Sequence, residues 1–137
     1  MTQAFPCIKS NLEAVRARIT AALSHAGRSE QATQLIAVSK KFSEELIREA
    51  YFSGQKHFGE NYVQEAINKI DKLTDLPLEW HFIGPIQSNK TRQIAKKFDW
   101  VHSVDRLKIA QRLSEARSGR GSSLKVCLQV NICRNCN

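Results

Sequence analysis

The stretch Leu35-Ile36-Ala37-Val38-Ser39-Lys40 joins a wholly apolar run to a terminal lysine. A short run of this kind indicates a strand that is buried on both faces, as in parallel sheets. Lysine is rarely buried without a partner, so Lys40 is an unusual residue with which to end such a strand. Active sites of barrels with alternating strands and helices lie at this end of the strands, and a partly desolvated amine there can attack an aldehyde. The run therefore predicts a parallel α/β sheet with a reactive Lys40, although a solvated lysine that merely closes a strand fits the same pattern.

The rest of the chain alternates between helical and strand patterns around this run. Ser10 and Glu13 form a capping box for a first helix, which Gly27 is placed to end. Four more strands follow the first, at 56–59, 79–84, 100–104 and 124–131. The helices between the strands begin near potential cap residues, among them Ser43, Asn61 and Asp105. We therefore expect an extra first helix, followed by five strands that alternate with four helices.

Strict alternation implies parallel strands that are joined by right-handed crossovers. Two architectures fit this order: an open doubly wound sheet, or part of an eight-stranded barrel. A complete barrel takes about 250 residues, so a chain of 137 residues would hold only part of one. The length is sufficient for one domain with a substantial core and too short for two.

Composition and charge limit the class of function. The apolar fraction of 42% and the charged fraction of 25% are typical of soluble globular proteins, and no apolar stretch approaches the roughly 20 residues that span a bilayer. The segment before Ile8 has no long apolar core, so we expect no secretory signal and a cytoplasmic location, with an organelle matrix as the alternative. The net charge of +8 favours anionic ligands, but the basic residues are dispersed, so we expect neither a specific nucleic acid nor a membrane as partner.

The cysteines are expected to be free thiols, because disulfides are rare in the compartments that this sequence suggests. They are Cys7, Cys127, Cys133 and Cys136. The last two have the spacing of a redox pair or of half a zinc site, but no second Cys/His pair accompanies them to complete four ligands. We therefore expect no bound metal.

Three polar segments lie just beyond predicted strands, where the ligand-binding loops of α/β proteins are found. They are Val38-Ser39-Lys40, the segment 57–65 (HFGENYVQE) and the segment 80–90 (WHFIGPIQSNK). In this order and spacing they resemble the pyridoxal phosphate homeostasis proteins, a family of small proteins built as a single barrel like the N-terminal domain of alanine racemase. The segments 102–106 (HSVDR) and 128–131 (LQVN) match further strand ends, so the resemblance covers nearly the whole chain.

The resemblance implies a partial TIM-type (β/α) barrel of the alanine racemase kind, with about five of the eight parallel strands and an extra N-terminal helix. It also implies the cofactor pyridoxal 5′-phosphate (PLP), held as a Schiff base on Lys40. Asn61 falls where the family places a polar side chain near the cofactor. His81, Ser88 and Asn89 match the family less closely, and the resemblance implies that they line the same cofactor-binding end of the barrel.

Each of these polar side chains also has a purely structural interpretation. Asn61 can cap the following helix, His81 can be a hydrogen-bonded core histidine, and Ser88 and Asn89 can simply begin a helix. Two glycines in the same segments, at positions 59 and 84, would allow the backbone to approach a flat ring closely.

After Ile132 the chain reads CRNCN and departs from the family, which continues into three more strands. We therefore interpret the chain as a C-terminally truncated form, with one barrel domain over residues 1–132 and a divergent stub over 133–137. Barrels commonly bind phosphate with the loops after strands 7 and 8, and an open sheet exposes two edges. We expect weak cofactor binding and low stability, which a cooperative thermal transition typical of mesophilic domains would contradict.

The function implied by the resemblance is that of a non-enzymatic carrier, a monomer that keeps free PLP low and passes it to apoenzymes. Catalysis with PLP needs a base on the substrate face and a group that tunes the ring nitrogen, and the sequence assigns neither. A racemase-type enzyme is the first alternative, and it predicts exchange of the α-proton of an amino acid in heavy water. A basic nucleic-acid-binding module is the second, and it predicts binding that weakens steeply with salt.

Overall fold

The computed structural model describes residues 7–132, so the predicted stub with Cys133 and Cys136 lies outside the described residues. Within this range a first helix precedes strands and helices that alternate along the chain, as predicted. The helices are α1 (Ile8–His25), α2 (Glu44–Phe52), α3 (Val63–Lys72), α4 (Thr91–Lys97) and α5 (Leu107–Arg117). The strands are β1 (Ala37–Val38), β2 (His57–Glu60), β3 (Glu79–Phe82), β4 (Trp100–Val104) and β5 (Lys125–Leu128). Short 3-10 turns lie at Glu30–Ala32 and Ser88–Lys90. Of the helices described, none is long and apolar enough to cross a membrane.

The sheet distinguishes between the two architectures that the sequence allowed. Over residues 7–132 its five strands are all parallel and lie in the order β1-β2-β3-β4-β5. Each crossover therefore moves the chain by one strand in the same direction, whereas a doubly wound sheet reverses its strand order at a switch point. The order is that of a barrel, which confirms the predicted partial (β/α) barrel and excludes the doubly wound sheet.

The main core lies between the sheet and the helices. Alternate residues of the central strands, such as Phe58, Trp80, Phe82 and Val101, pack against the apolar stripes of the helices, and each is 4% exposed or less. Burial of one such large side chain contributes about 1.5–3 kcal/mol to stability. The helical side of this core is supplied by Ile47, Ala50, Ala66, Ile94, Ala95, Ile109 and Leu113.

The opposite face of the sheet, called the inner face below, is polar and aromatic. Because successive strand residues point to opposite faces, the residues between the core positions share this face, and their side chains are in mutual contact. They are His57, Glu79, His81, Trp100 and His102. In a closed barrel this face lines the interior.

The ends of α1 confirm one sequence prediction and correct another. Gly27 has a φ of +65°, a left-handed conformation that glycine adopts without a steric cost, and it follows the end of the helix as expected. The predicted capping box is wrong, because the N-cap position is Cys7 and Ser10 lies within the first turn. There the Ser10 hydroxyl donates to the Cys7 carbonyl oxygen at 2.9 Å.

Two further cap predictions are wrong by one residue. The residue at the N-cap of α3 is Tyr62 rather than Asn61, and that of α5 is Arg106 rather than Asp105. Ser43 does occupy the N-cap position of α2. In both failures the strand-to-helix loop continues one residue further than the side-chain preference indicated, which frees Asn61 for another role.

Candidate functional site

Lys40 lies in the turn directly after β1, between two residues whose backbones are anchored. The Ser39 carbonyl oxygen accepts a hydrogen bond from Lys69 Nζ at 2.8 Å. Lys41 has a φ of 64°, and its N–H donates to Glu65 Oε1 at 2.5 Å. Lys40 itself is exposed, not partly desolvated as the sequence suggested, because it lies in a turn after the strand and not within the strand. The site thus presents a free amine on a fixed backbone.

A buried ion pair beneath this turn supplies most of the anchoring. Glu60 is 0% exposed and Lys69 is 5% exposed, and Lys69 Nζ lies 2.8 Å from Glu60 Oε1. Ser39 Oγ donates to the same carboxylate oxygen at 2.7 Å, and Lys69 Nζ also reaches Glu65 Oε1 at 2.6 Å. The hydrogen bond from Lys69 and the N–H of Lys41 lower the pKa of Glu65. Sequence reasoning missed this network, although a glutamate that ends a strand and a lysine on the apolar face of the next helix were available as a signal.

Asn61 directly follows β2, the strand that neighbours β1. Val38 pairs with Gly59, so Lys40 and Asn61 each follow this register pair by two residues, at the same end of the sheet. The Asn61 Oδ1 atom is buried and has no hydrogen-bond partner among residues 7–132. Buried polar atoms are normally satisfied, so an unpaired amide oxygen at a strand end is a candidate ligand contact. This position is a better match to a binding role than to the predicted helix cap.

The glycines at this end of the sheet serve the packing of the protein. A Cβ on Gly59 would lie 3.1 Å from Ile83 Cδ1 and 3.2 Å from Ile36 Cγ2, so the space beside it is already filled. A Cβ on Gly84 would lie 2.6 Å from the Asn61 carbonyl oxygen. Both glycines thus allow close packing of neighbouring segments at this end of the sheet, and the approach of a ring to them stays a prediction.

Substitution of Gly84 by alanine is expected to destabilise the protein. Its Cβ would overlap the backbone at Asn61, which cannot rotate away as a side chain can, so the strand ends must move apart. Overpacking of this kind costs about 1–3 kcal/mol. Urea unfolding measures the loss, and Gly121→Ala is the matched control, since a Cβ there meets no atom of the described residues within 4 Å. Equal stability of the two variants would contradict the prediction.

Ser88 and Asn89 lie in the 3-10 turn after β3, at the same end of the sheet as Lys40. The turn leads directly into α4, so these residues do begin a helix, as their structural interpretation predicted. The Ser88 carbonyl oxygen accepts hydrogen bonds from Thr91 Oγ1 at 2.8 Å and from Arg112 Nη1 at 3.2 Å. Asn89 is exposed. The loop is thus held in place and carries a guanidinium against its backbone.

His81 lies within β3, on the inner face, and is 3% exposed. Its Nε2 is 3.0 Å from His57 Nδ1, its Nδ1 is 3.1 Å from His102 Nε2, and its ring stacks on Trp100 at 5.4 Å between centroids. Burial lowers the pKa of His81 to about 4, with further lowering by His102 and His57. Burial also lowers the pKa of His102. His81 is therefore a neutral, hydrogen-bonded histidine at pH 7.

The lowered pKa of His81 predicts a loss of stability in mild acid. Its ordinary value is 6.5 and its folded value is about 4, so the unfolded chain binds more protons between these limits and stability falls as the pH drops through this window. Of the charged groups around the ring, Glu79 opposes this shift, whereas Lys125, His57 and His102 add to it. The melting temperature, measured in EDTA from pH 7 to pH 5, should fall more steeply for the native chain than for His81→Gln. Parallel curves for the two proteins would contradict the assignment.

An apolar cavity borders the turn that carries Lys40, with Ser39 in its lining. It has a volume of about 370 Å³ and lies between α1, β1 and α2. Its lining is mostly apolar, from residues such as Leu12, Val15, Leu46 and Phe58, so it does not match an anionic ligand. The strand ends around Lys40 remain the candidate site.

This fold and site define a class of protein: a (β/α)-barrel domain whose first strand ends in an exposed lysine on an anchored turn. Comparison with known families gives the same class, because the family model for the alanine racemase N-terminal domain matches residues 10–134. The chain is 58% identical over 125 residues to the pyridoxal phosphate homeostasis protein of Pseudomonas aeruginosa, and 49% identical over 128 residues to that of Escherichia coli K12. Each alignment covers 91% of this chain. The chain belongs to the pyridoxal phosphate homeostasis protein family.

A solved structure supports this assignment. PipY of Synechococcus elongatus, solved with PLP bound, is 49% identical and superposes with a TM-score of 0.72 over 87% of this chain and 56% of PipY. The alignments cover 54% of the Pseudomonas protein and 55% of the Escherichia protein. The chain thus spans about half the length of the curated relatives that it matches.

Proposed function

We propose that this chain binds pyridoxal 5′-phosphate through Lys40 and contributes to the intracellular homeostasis of this cofactor. The observation that carries the proposal is the anchored turn that presents Lys40 at the same end of the sheet as Asn61, whose Oδ1 has no hydrogen-bond partner among the described residues. The names of the relatives and the PLP bound to PipY support the same ligand.

The residues at this end of the sheet fit the chemical groups of PLP. Bound PLP supplies an aldehyde carbon for reversible bonding to an amine and a ring that withdraws electrons from it. Lys40 provides the amine, and the Asn61 carboxamide can accept or donate a hydrogen bond at a polar ring substituent. Ser88 and Asn89 add polar groups from the loop after β3. His81 is buried within β3, and its two ring nitrogens contact His57 and His102. We therefore propose that it packs beneath the cofactor site and does not contact the cofactor directly.

A carrier role follows from the accessibility of Lys40. Its side chain is exposed, so water can reach the carbon–nitrogen bond that Lys40 forms and can hydrolyse it. Reversible release of this kind suits a protein that passes the cofactor to apoenzymes. We propose that the protein acts as a monomeric carrier and does not catalyse a reaction of its own, in keeping with the names of its relatives.

The test is to incubate the purified chain with PLP, reduce the mixture with borohydride and map the modified peptides by mass spectrometry. The expected result is a single adduct, close to one equivalent per chain, on Lys40. Adducts scattered over exposed lysines in proportion to their accessibility would overturn the proposal. So would the absence of any stable adduct.

A further inference from the structure

A second group of polar side chains lies on the inner face, at the opposite end of the strands from Lys40. His57 and Glu79 are the first residues of β2 and β3, and they form a register pair. His57 Nδ1 lies 3.0 Å from His81 Nε2 and 3.7 Å from Glu79 Oε2, and the three atoms all fall within 4.8 Å of one another. The proposed cofactor site uses neither His57 nor Glu79, and the two sites share only His81, which lies beneath the cofactor site.

We propose that His57, His81 and Glu79 form a binding site for a divalent transition-metal ion of the zinc class. Two imidazoles and one carboxylate are a ligand set that Zn²⁺ accepts, with an open position for water. Bonds of about 2.0–2.1 Å in tetrahedral geometry place ligand atoms about 3.3 Å apart, between the 3.0 Å and 3.7 Å found here. Small side-chain rotations are therefore enough to admit the ion.

The surroundings provide hydrogen-bond partners for two of these ligands. His81 Nδ1 faces His102 Nε2 at 3.1 Å, and the tautomer with its proton on Nδ1 donates to His102 and leaves the Nε2 lone pair for a metal. Metal-bound histidines in proteins nearly always donate their second ring N–H in this way. Trp100 Nε1 donates to Glu79 Oε2 at 2.9 Å, which fixes the carboxylate while a second lone pair on that oxygen stays available.

A metal ion would replace the contact between His57 Nδ1 and His81 Nε2, and each ring can carry a proton on its other nitrogen. Glu79 supplies one negative charge, which favours a cation over an anion at this point of a basic protein.

Lys125 is the group that opposes the ion. Its Nζ lies 3.5 Å from Glu79 Oε2 and 4.8 Å from the centroid of the Trp100 ring. The side chain is about half exposed, so Lys125 can move its charge into solvent when a metal ion replaces it beside Glu79. Removal of this lysine charge should therefore tighten metal binding.

The experiment measures Zn²⁺ affinity by competition with a chromogenic chelator and uses Co²⁺ as a spectroscopic probe, both without PLP. All four cysteines are first replaced by serine, because thiolates bind the same ions. In this background, His57→Gln should lower Zn²⁺ affinity by at least about tenfold, since loss of even an outer partner of a zinc ligand costs 10–100-fold. Lys125→Gln should raise the affinity.

His25→Gln is the matched control, because His25 is an exposed histidine at the end of α1. It should leave Zn²⁺ affinity unchanged, and circular dichroism checks that every variant is folded. The site is excluded if His57→Gln and Glu79→Gln both bind Zn²⁺ as tightly as His25→Gln. It is also excluded if the cysteine-free protein raises neither its melting temperature with Zn²⁺ nor the visible absorption of Co²⁺.

Discussion

Lys40→Arg is expected to abolish the borohydride-stable PLP adduct while leaving the protein folded. Arginine keeps the positive charge and nearly the length of lysine, but its guanidinium stays protonated and cannot attack an aldehyde. Because the Lys40 side chain is exposed, the substitution should change stability by less than about 0.5 kcal/mol. The yield of reduced adduct, measured by intact-protein mass spectrometry, should fall by at least about tenfold, because the reacting amine is gone.

The neighbouring residue provides a matched control. Lys41→Arg changes the adjacent lysine in the same way, at a residue whose backbone N–H is held by Glu65 and whose side chain is also exposed. A protein whose exposed lysines react with PLP without a specific site would lose as much adduct in this variant as in Lys40→Arg. A specific site predicts that Lys41→Arg keeps the full yield. Equal losses in the two variants would rule out a dedicated role for Lys40.

The sequence was sufficient to predict the order and type of the elements. The apolar run before Lys40 and the regular return of helical stripes depend on local spacing alone, and both patterns are present in the described structure. Gly27 could be assigned because a left-handed residue after a helix nearly demands glycine. Local spacing could not decide between a barrel and a doubly wound sheet. The two differ in strand order, which depends on how the crossovers connect the strands and not on any local pattern.

The helix caps show how a small shift alters the interpretation of a residue. Asn61 has the chemistry of an N-cap, and the helix was expected to begin there. The structure begins α3 one residue later, and Asn61 instead has its backbone against Gly84 and its Oδ1 buried. Whether an asparagine caps a helix or keeps a buried, unpaired amide oxygen thus depends on one residue of loop length, which side-chain preference does not determine.

The histidines of the inner face could not have been grouped from the sequence. His57 and His81 are 24 positions apart, and His81 and His102 are 21 positions apart. Their contact depends on the register of three strands, and a shift of one residue would move each ring to the opposite face. Only His81 was a candidate before the structure, and its partners became visible once the strands were aligned.

The buried pair of Glu60 and Lys69 was missed for a related reason. Glu60 ends a strand and Lys69 lies on the face of α3 that packs on the sheet, so their approach requires the crossover between the two elements. Lysine at a helical core position is easily read as a solvated residue. Here it joins the strand ends to the turn that carries Lys40, through its bonds to the Ser39 carbonyl oxygen and to Glu65.

Lys69→Met is expected to cause the largest loss of stability among the substitutions considered. It leaves the Glu60 carboxylate fully buried without its cation, and removal of one partner of a buried ion pair costs about 3–5 kcal/mol. Ser39 Oγ remains as a single donor to Glu60, which does not replace a charge. Urea unfolding followed by circular dichroism should show this loss, a large part of the roughly 5–15 kcal/mol that holds a domain folded.

The partner substitution should be less harmful, because the two sides of the pair are not equivalent. Glu60→Gln keeps the shape of the side chain and leaves Lys69 with the Glu65 carboxylate at 2.6 Å, so its expected cost is about 1–3 kcal/mol. The double variant Glu60→Gln/Lys69→Met removes both buried charges and should be more stable than Lys69→Met alone. A double variant whose loss equals the sum of the two single losses would show that the pair is not coupled. In that case the anchoring of the Lys40 turn would depend on Glu65 and not on the buried pair.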